Sequence, residues 1–299
     1  MKEINKLKQE KNAMILAHNY QRPRIQDIAD FTGDSFGLAK KAVESNTEII
    51  VFCGVDFMAE TAKILCPDKV VLHPDMDAQC PMAGMVDIES LQDLKKTYPN
   101  AAVVSYVNTS AAVKAHTDIC CTSSNAVKII RSLKENEIIF IPDTNLGKYI
   151  KRFITDKRII IWPGICPTHY KIRKEDILKL QKQYPSAETL VHPECNPDVI
   201  DVSDVVYSTS GMIAHIEESP VETFIIGTEK ELCYRIQKKN PDKKIIAIDK
   251  ALCPNMKKIT LEKVLQSLQQ MQPKIQLKNE IINKAKIPLH KMIEMGRGD

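Results

Sequence analysis

Short apolar segments alternate with helix-like segments along the chain, and one arrangement of them occurs three times. The first segment of each repeat is apolar and ends in polar residues, at positions 13–20, 101–108 and 188–194. Apolar runs of this length are typical of buried strands, whereas longer amphipathic segments predict helices. Alternating strands and helices predict parallel sheets with helical crossovers.

The later segments of each repeat keep the same order. A hydroxyl-rich turn that opens a helix follows the first strand, at positions 32–35, 122–125 and 208–211. Second strands are predicted at 48–53, 137–141 and 223–227, and third strands at 69–72, 158–162 and 244–248. A helix separates these two strands in every repeat, beginning at Val55, Thr144 and Thr228.

Three sets of chemically distinctive residues recur at nearly one period, which supports an internal repeat. The first set consists of the cysteines that follow the third strands, Cys80, Cys166 and Cys253, which are 86 and 87 positions apart. The other two sets recur at 88 and 86 positions, and they are the strand-end residues His18, Tyr106 and His192 and the turn hydroxyls Ser35, Ser123 and Thr209.

We therefore predict an α/β fold of three homologous three-layer α/β/α units with parallel sheets. The predicted units are 1–82, 83–168 and 169–257, and the helices of 258–299 are expected to pack back on the first unit. The carboxyl ends of parallel strands carry the binding site in such sheets. A pseudo-threefold arrangement with these ends inward would bring the three sets together around one central active site.

The cysteines are the first candidates for chemistry at that centre. The chain has 9 of them, an odd number, and it has no CxxC pair, so neither complete disulfide pairing nor a zinc ribbon is favoured. Cys53, Cys66 and Cys233 lie in apolar patterns and are expected to be buried packing residues. No role follows for Cys120, Cys121 and Cys195, although Cys195 directly follows Glu194.

Cys80, Cys166 and Cys253 differ from the others because each is followed by proline in a loop. Three thiolates around one centre suit a soft metal site. A [4Fe–4S] cluster normally takes four cysteines, so three would leave one iron open. An open iron can bind a substrate oxygen and act as a Lewis acid. We therefore predict a [4Fe–4S] cluster with three cysteine ligands and one open iron.

The turn hydroxyls predict an anion site. Ser35, Ser123 and Thr209 lie at helix N-termini, where unpaired N–H groups favour negative charge. Each hydroxyl alone would also serve as a helix cap. Three at equivalent positions favour a substrate with several acidic groups.

The ends of the first strands supply acid–base groups. Their polar residues are His18, Asn19 and Tyr20 in the first repeat, Tyr106 and Asn108 in the second, and His192 and Glu194 in the third. Glu194 is the expected general base, and the tyrosines are expected to donate or relay protons.

Charge and hydropathy exclude other classes of protein. The net charge is +4, from 42 basic and 38 acidic residues, which does not favour nucleic-acid binding. No apolar run approaches the ~20 residues that span a bilayer, and the first twenty residues do not form a signal peptide. We expect a cytoplasmic protein without a membrane partner.

Nine segments together resemble the quinolinate synthase family. They are ILAHNYQ (15–21), DIADFTGDS (27–35), GVDFMAETAKIL (54–65), CPMA (80–83), YVN (106–108), CTSSNAV (121–127), HPEC (192–195), GTE (227–229) and CPNMK (253–257). The resemblance runs from about residue 15 to residue 265.

The resemblance implies three α/β units about a [4Fe–4S] cluster held by Cys80, Cys166 and Cys253. It implies a condensation of iminoaspartate with dihydroxyacetone phosphate to quinolinate, phosphate and water in de novo NAD biosynthesis, with functional coupling to an enzyme that produces iminoaspartate. It implies Tyr20 and Glu194 as the acid–base pair, with His18 beside them. The implied substrate-binding set is His18, Ser35, Tyr106, Asn108, Ser123, His192, Glu194 and Thr209.

Two positions depart from the family pattern. Members often have histidine just before the second cysteine, where this chain has Ile165, and His169 matches better. An acidic residue is common near position 112, where this chain has Ala112.

Two other functions compete with the enzyme. A cluster-based sensor would not need Glu194, Tyr20 or the turn hydroxyls. A three-unit anion-binding protein with incidental cysteines would bind its ligand unchanged after Cys80→Ser.

Overall fold

The apolar segments form twelve strands in the computed structural model, which describes residues 1–299. The first unit consists of α1 (Lys2–Glu10), β1 (Ala13–His18), α2 (Pro23–Ile28), β2 (Phe31–Gly33), α3 (Ser35–Glu44), β3 (Ile49–Cys53), α4 (Asp56–Leu65) and β4 (Val70–Leu72). The second consists of α5 (Ile88–Thr97), β5 (Ala102–Tyr106), α6 (Ala111–Lys114), β6 (Ile119–Cys121), α7 (Ala126–Ser132), β7 (Glu137–Ile141), α8 (Thr144–Lys151) and β8 (Arg158–Ile161).

The third unit begins with an additional short helix, α9, directly after Cys166, and then repeats the order of the other units. Its elements are α9 (Pro167–Tyr170), α10 (Lys174–Gln183), β9 (Glu188–Val191), α11 (Pro197–Ile200), β10 (Val205–Val206), α12 (Thr209–Glu218), β11 (Thr223–Gly227), α13 (Leu232–Lys239) and β12 (Lys244–Ala247). The chain ends with α14 (Leu261–Gln270) and α15 (Asn279–Met295). Single 3-10 turns lie at Ala83–Met85 and Met256–Lys258.

All three sheets are parallel and have one topology. The strand orders are β2-β1-β3-β4, β6-β5-β7-β8 and β10-β9-β11-β12. Strands β1, β3 and β5 are buried along their whole length, as expected for parallel sheets covered by helices on both faces. The predicted fold class of three parallel α/β/α units is confirmed.

Each sheet has a short edge strand that the pattern did not predict. Strand β2 pairs with β1 from Leu16 and Phe31 onward, and its last two residues, Thr32 and Gly33, fall in the segment predicted as a turn. Strands of two or three residues are too short to show an alternation of apolar and polar positions. An aspartate just before each edge strand accepts a backbone N–H of the first strand, at 2.7–2.8 Å: Asp30 from Ile15, Asp118 from Val103 and Asp204 from Thr189.

The C-terminal helices pack on two units. Helix α14 packs against α1 and β3 of the first unit. Helix α15 lies between the first and second units, against α4, α6 and β6, and its Leu289 and Met292 belong to the largest apolar core. The unit boundaries stay a prediction. None of the helices has both the length and the apolar character that crossing a bilayer requires.

Candidate active site

One cavity of about 140 Å³ lies where the carboxyl ends of the three sheets face one another. This is roughly ten times the space that one water molecule needs. All the residues nominated from the sequence line it: His18, Tyr20, Ser35, Cys80, Tyr106, Asn108, Ser123, Cys166, His192, Glu194, Thr209 and Cys253. Neither Ile165 nor Ala112 lines the cavity.

Glu194 is held in the cavity by contacts to both of its carboxylate oxygens. The phenol of Tyr106 donates to its Oε1 at 2.5 Å, and Nδ1 of His169 lies 2.8 Å from its Oε2. Burial alone would raise the pKa of this carboxyl, since Glu194 is only 3 % exposed. The charge and the hydrogen bond of His169, together with the hydrogen bond from Tyr106, outweigh burial and hold the pKa of Glu194 well below the usual value. Glu194 is therefore ionised at neutral pH.

The other acid–base groups are held neutral. Burial, followed by the charge of Glu194, raises the pKa of the Tyr20 and Tyr106 phenols well above the usual value. Burial lowers the pKa of His18 to about 4 and that of His192 to about 3. At neutral pH the two phenols are proton donors and these two imidazoles carry no charge.

His169 links groups from all three units, although the sequence singled it out only as a departure from the family pattern. Its Nδ1 lies 3.2 Å from the sulfur of Cys166, and its Nε2 lies 2.8 Å from Thr228 Oγ1. Thr228 Oγ1 is 2.6 Å from the phenol of Tyr20. The ring of His169 also stacks on that of His192, with centroids 4.7 Å apart. A continuous hydrogen-bond path therefore joins Tyr20 to Glu194.

The three loop thiols form a donor set for a soft metal. None of the cysteines is in a disulfide. Burial raises the pKa of the Cys80 thiol to about 12, and the nearby Cys253 thiol adds to this effect. Burial likewise raises the pKa of the Cys166 thiol, and the nearby Cys80 thiol adds to this rise. Metal binding to such thiols releases their protons.

A second donor set shares one of these thiols. The ligand atoms of Cys166, His169 and Glu194 all lie within 4.8 Å of one another. Thiolate, imidazole and carboxylate together are also a set that zinc accepts.

The other cysteines lie away from the cavity. Cys120 and Cys121 are buried within β6, and Cys195 donates to the carbonyl of Gly227 instead of facing the cavity. Cys53 and Cys66 are buried packing residues, as predicted, whereas Cys233 is only half-buried against the core of the third unit.

The turn hydroxyls of the first and third units are not the helix caps. Asp34 caps α3 by accepting the N–H of Gly37 at 2.8 Å, and Ser208 caps α12 by accepting that of Gly211 at 3.2 Å. Ser35 and Thr209 come one residue later and line the cavity. In the second unit, Ser123 Oγ lies 3.2 Å from His192 Nε2. Their positions favour ligand binding over capping.

Asn108 has a buried carbonyl oxygen without a hydrogen-bond partner. Unpaired buried polar atoms are rare in native proteins and need an explanation. Because Asn108 lines the cavity, a bound molecule with an N–H or O–H group would supply the missing partner.

The chain end reaches all three helix N-termini, which the sequence did not predict. Arg297 lies 2.8 Å from Asp34 and 3.1 Å from the Ser208 hydroxyl. Gly298 donates its N–H to the carbonyl of Ser124 at 2.8 Å. Gly296 has a φ of 69°, which favours glycine at this bend. This segment therefore joins the caps of α3 and α12 to the turn before α7.

The three parallel α/β units bring thiols, imidazoles, phenols and an ionised carboxylate into a single cavity. These features define a three-unit α/β protein with its active site at the strand ends. The family model described as "Quinolinate synthetase A protein" matches residues 2–294. The chain belongs to this family, the quinolinate synthases, as the resemblance implied.

Curated relatives bear the same name. A "Quinolinate synthase" of Geotalea uraniireducens is 51% identical over 296 residues, which cover 99% of this chain and 97% of the relative. Those of Methanosarcina barkeri and Caldicellulosiruptor bescii are 50% and 51% identical over 98% of this chain, and 96% and 97% of the respective relatives are covered. The prediction of an enzyme is confirmed by this membership.

Proposed function

We propose that the protein makes quinolinate for de novo NAD biosynthesis by condensing iminoaspartate with dihydroxyacetone phosphate, with loss of phosphate and water. The observation that carries this proposal is the meeting of three thiols, ionised Glu194 and the hydroxyls of Ser35, Ser123 and Thr209 at one cavity. The names of the relatives support the product. Iminoaspartate would have to come from an enzyme that produces it, and functional coupling to such an enzyme is part of the proposal.

The donor set fits a [4Fe–4S] cluster with three protein ligands. Cys80, Cys166 and Cys253 would hold it, one from each unit, and no fourth cysteine lines the cavity. When bound, such a cluster supplies an open iron that acts as a Lewis acid toward a substrate oxygen.

The substrates would be bound through their anionic groups. The hydroxyls of Ser35, Ser123 and Thr209 and the N–H groups of the adjoining turns favour phosphate and carboxylate oxygens. Asn108 would accept a hydrogen bond from a substrate N–H or O–H group, since its buried oxygen has no other partner. Neutral His18 and His192 would donate or accept hydrogen bonds without repelling either charge.

Glu194 and Tyr20 would move the protons. Glu194 is ionised and therefore able to accept a proton from a substrate carbon, while Tyr106 holds its Oε1 in place. Tyr20 is protonated and therefore able to donate to a leaving oxygen. The path through Thr228 and His169 would return the proton from Glu194 to Tyr20.

The proposal is tested by anaerobic purification, iron and sulfide analysis, and assay of quinolinate formation from the two substrates. We expect about four irons per chain, broad visible absorption and product formation. Cys166→Ser should lose cluster and activity together, whereas Cys233→Ser, which alters a cysteine outside the cavity, should keep both. A wild-type protein without an iron–sulfur cluster, or without product, would refute the proposal.

Glu194→Gln separates an enzyme from a sensor. This variant should retain the cluster and lose turnover by about a hundredfold or more, since a general base contributes roughly 10²–10⁴-fold. Full activity of Glu194→Gln would show that this residue is not the base. A cluster-loaded wild type without turnover would instead favour the sensor.

A further inference from the structure

Each candidate ligand cysteine is held through its own backbone N–H by a carboxylate of the same unit. The N–H of Cys80 donates to Asp56 Oδ1 at 3.0 Å. That of Cys166 donates to Asp143 Oδ2 at 3.2 Å. That of Cys253 donates to Glu229 Oε1 at 3.1 Å. We call Asp56, Asp143 and Glu229 the cysteine-loop carboxylates.

The cysteine-loop carboxylates occupy equivalent positions. Each lies just past the second strand of its unit, and they recur at 87 and 86 positions. The contact joins residues 23 or 24 positions apart in every unit. Each repeat thus contains one carboxylate for one cysteine loop.

Local capping does not account for these contacts. Every cysteine-loop carboxylate does accept an N–H near the start of its own following helix, from Phe57, Leu146 and Glu231 respectively, at 2.6–2.9 Å. Only Asp143 caps its helix through that bond, since α4 and α13 have no side-chain cap, and a cap needs no further bond. The second bond, to the cysteine, crosses to the loop after the third strand and joins that loop to the helix start.

We propose that the cysteine-loop carboxylates are positioning residues that fix the three thiols in the arrangement that retains one metal cluster. This inference rests on the proposed function. The hydrogen bond between the cysteine N–H and the carboxylate fixes the cysteine loop to the start of a helix. A loop that is already fixed loses less conformational entropy when its thiol binds metal. Without this bond, the loop opens more often and the metal is released faster.

The three contacts are not equally suited to a test. Glu229 also pairs with Lys257 at 2.8 Å, and the two side chains are 0% and 7% exposed. Removing Glu229 would leave a buried cation without its partner, which is strongly destabilising. Asp143 is fully buried and its hydrogen-bond partners are backbone N–H groups. Asp143→Ala is therefore the main variant, and Asp56→Ala, at a half-buried position, is the second.

A matched control lies in the same unit. Asp118 also accepts a backbone N–H, that of Val103 at 2.7 Å, but it lies at the amino end of the strands, away from the cysteine loops. Asp118→Ala removes the same kind of bond, at a half-exposed side chain that also pairs with Lys95 at 3.9 Å, without touching a cysteine loop. Asp143→Asn keeps one acceptor oxygen and replaces the other with an NH2 group, so only one of the N–H groups of Leu146 and Cys166 keeps its partner.

The experiment measures how fast an iron chelator removes iron from the anaerobically purified holoprotein, followed by visible absorbance. Asp143→Ala and Asp56→Ala should lose iron about tenfold faster than wild type, because loss of an outer partner typically costs 10–100-fold in metal affinity. Asp118→Ala should lose iron at the wild-type rate, and Asp143→Asn, which keeps one of the two bonds, should release iron at a rate between those of wild type and Asp143→Ala.

Wild-type release rates in both alanine variants would overturn the inference and leave the proposed function intact. Equally fast release from Asp118→Ala would overturn it too, since the effect would then reflect general stability. A wild-type protein that holds no cluster would overturn the proposed function and this inference together.

Discussion

At the residue scale, neighbouring side chains at the helix starts have separate tasks. Asp34 and Ser208 cap helices, whereas Ser35 and Thr209, one residue later, cap no helix and line the cavity. Asp34 also lines the cavity. A substitution at a cap should therefore lower stability, whereas one at Ser35 should affect binding alone.

Ser35→Ala and Asp34→Ala test this division. Ser35→Ala should raise KM for dihydroxyacetone phosphate about tenfold, which corresponds to ~1.4 kcal/mol, with little change in thermal midpoint. Asp34→Ala should lower the free energy of unfolding by about 1 kcal/mol or more, because it removes a cap and the partner of Arg297. Steady-state kinetics and denaturant unfolding measure the two effects, and a stability loss in Ser35→Ala without a change in KM would contradict the assignment.

Two buried imidazoles predict a loss of stability in acid. His18 and His192 are 5% and 3% exposed, and their pKa values are lowered from 6.5 to about 4 and about 3. Below pH 6.5 the unfolded chain binds protons that the folded chain does not. The free energy of unfolding should therefore fall by about 1.4 kcal/mol per pH unit for each ring between pH 6.5 and pH 4.

Denaturant unfolding of the metal-free protein at several pH values measures this slope. His18→Asn should reduce the slope, whereas His290→Asn, outside the cavity, should leave it unchanged. An equal slope in wild type and His18→Asn would exclude this ring as a source of acid sensitivity.

At the element scale, the segment after α15 ties three helix starts together. Arg297 contacts the caps of α3 and α12, and Gly298 bonds to Ser124 in the turn before α7. Those elements carry the hydroxyls that line the cavity. The segment therefore holds together the elements that carry these cavity-lining hydroxyls and does not itself line the cavity.

Arg297→Met should raise KM for dihydroxyacetone phosphate about tenfold and change kcat less, because the helix starts lose their common partner. Lys284→Met is a suitable control, since Lys284 pairs only with Glu280 on the exposed face of α15. Steady-state kinetics measure both variants. Unchanged KM in a folded Arg297→Met protein would show that the ion pair with Asp34 serves stability alone.

At the scale of the whole molecule, the three units share one cavity whose thiols come from all of them. A ligand that bridges three units binds only when they are assembled, so it stabilises the assembled state. Metal binding and folding are coupled in such proteins.

Loading the metal-free protein with iron and sulfide should raise its thermal midpoint by several degrees. Cys166→Ser should show no such rise, whereas Cys233→Ser should show the wild-type rise. Differential scanning fluorimetry under anaerobic conditions measures these shifts. A full rise in Cys166→Ser would show that stabilisation does not need this thiol.

The repeated α/β plan and the identity of the strand-end residues could be predicted from the sequence. Apolar runs and helical spacings are local properties, and a threefold period makes each one visible three times. The positions of His18, Tyr106 and His192 at strand ends follow from that plan, whereas their meeting in one cavity depends on how the three units are arranged.

The contacts between distant parts of the chain became known only from the structure. The bond of Glu194 with Tyr106 joins two units and residues 88 positions apart, and that with His169 joins residues 25 positions apart within the third unit; no local pattern specifies such pairs. The edge strand β10 has two residues, too few to show a period. The contact of Arg297 with Asp34 arises because α15 packs across two units, and the cysteine-loop carboxylates became visible only as hydrogen bonds between distant loops.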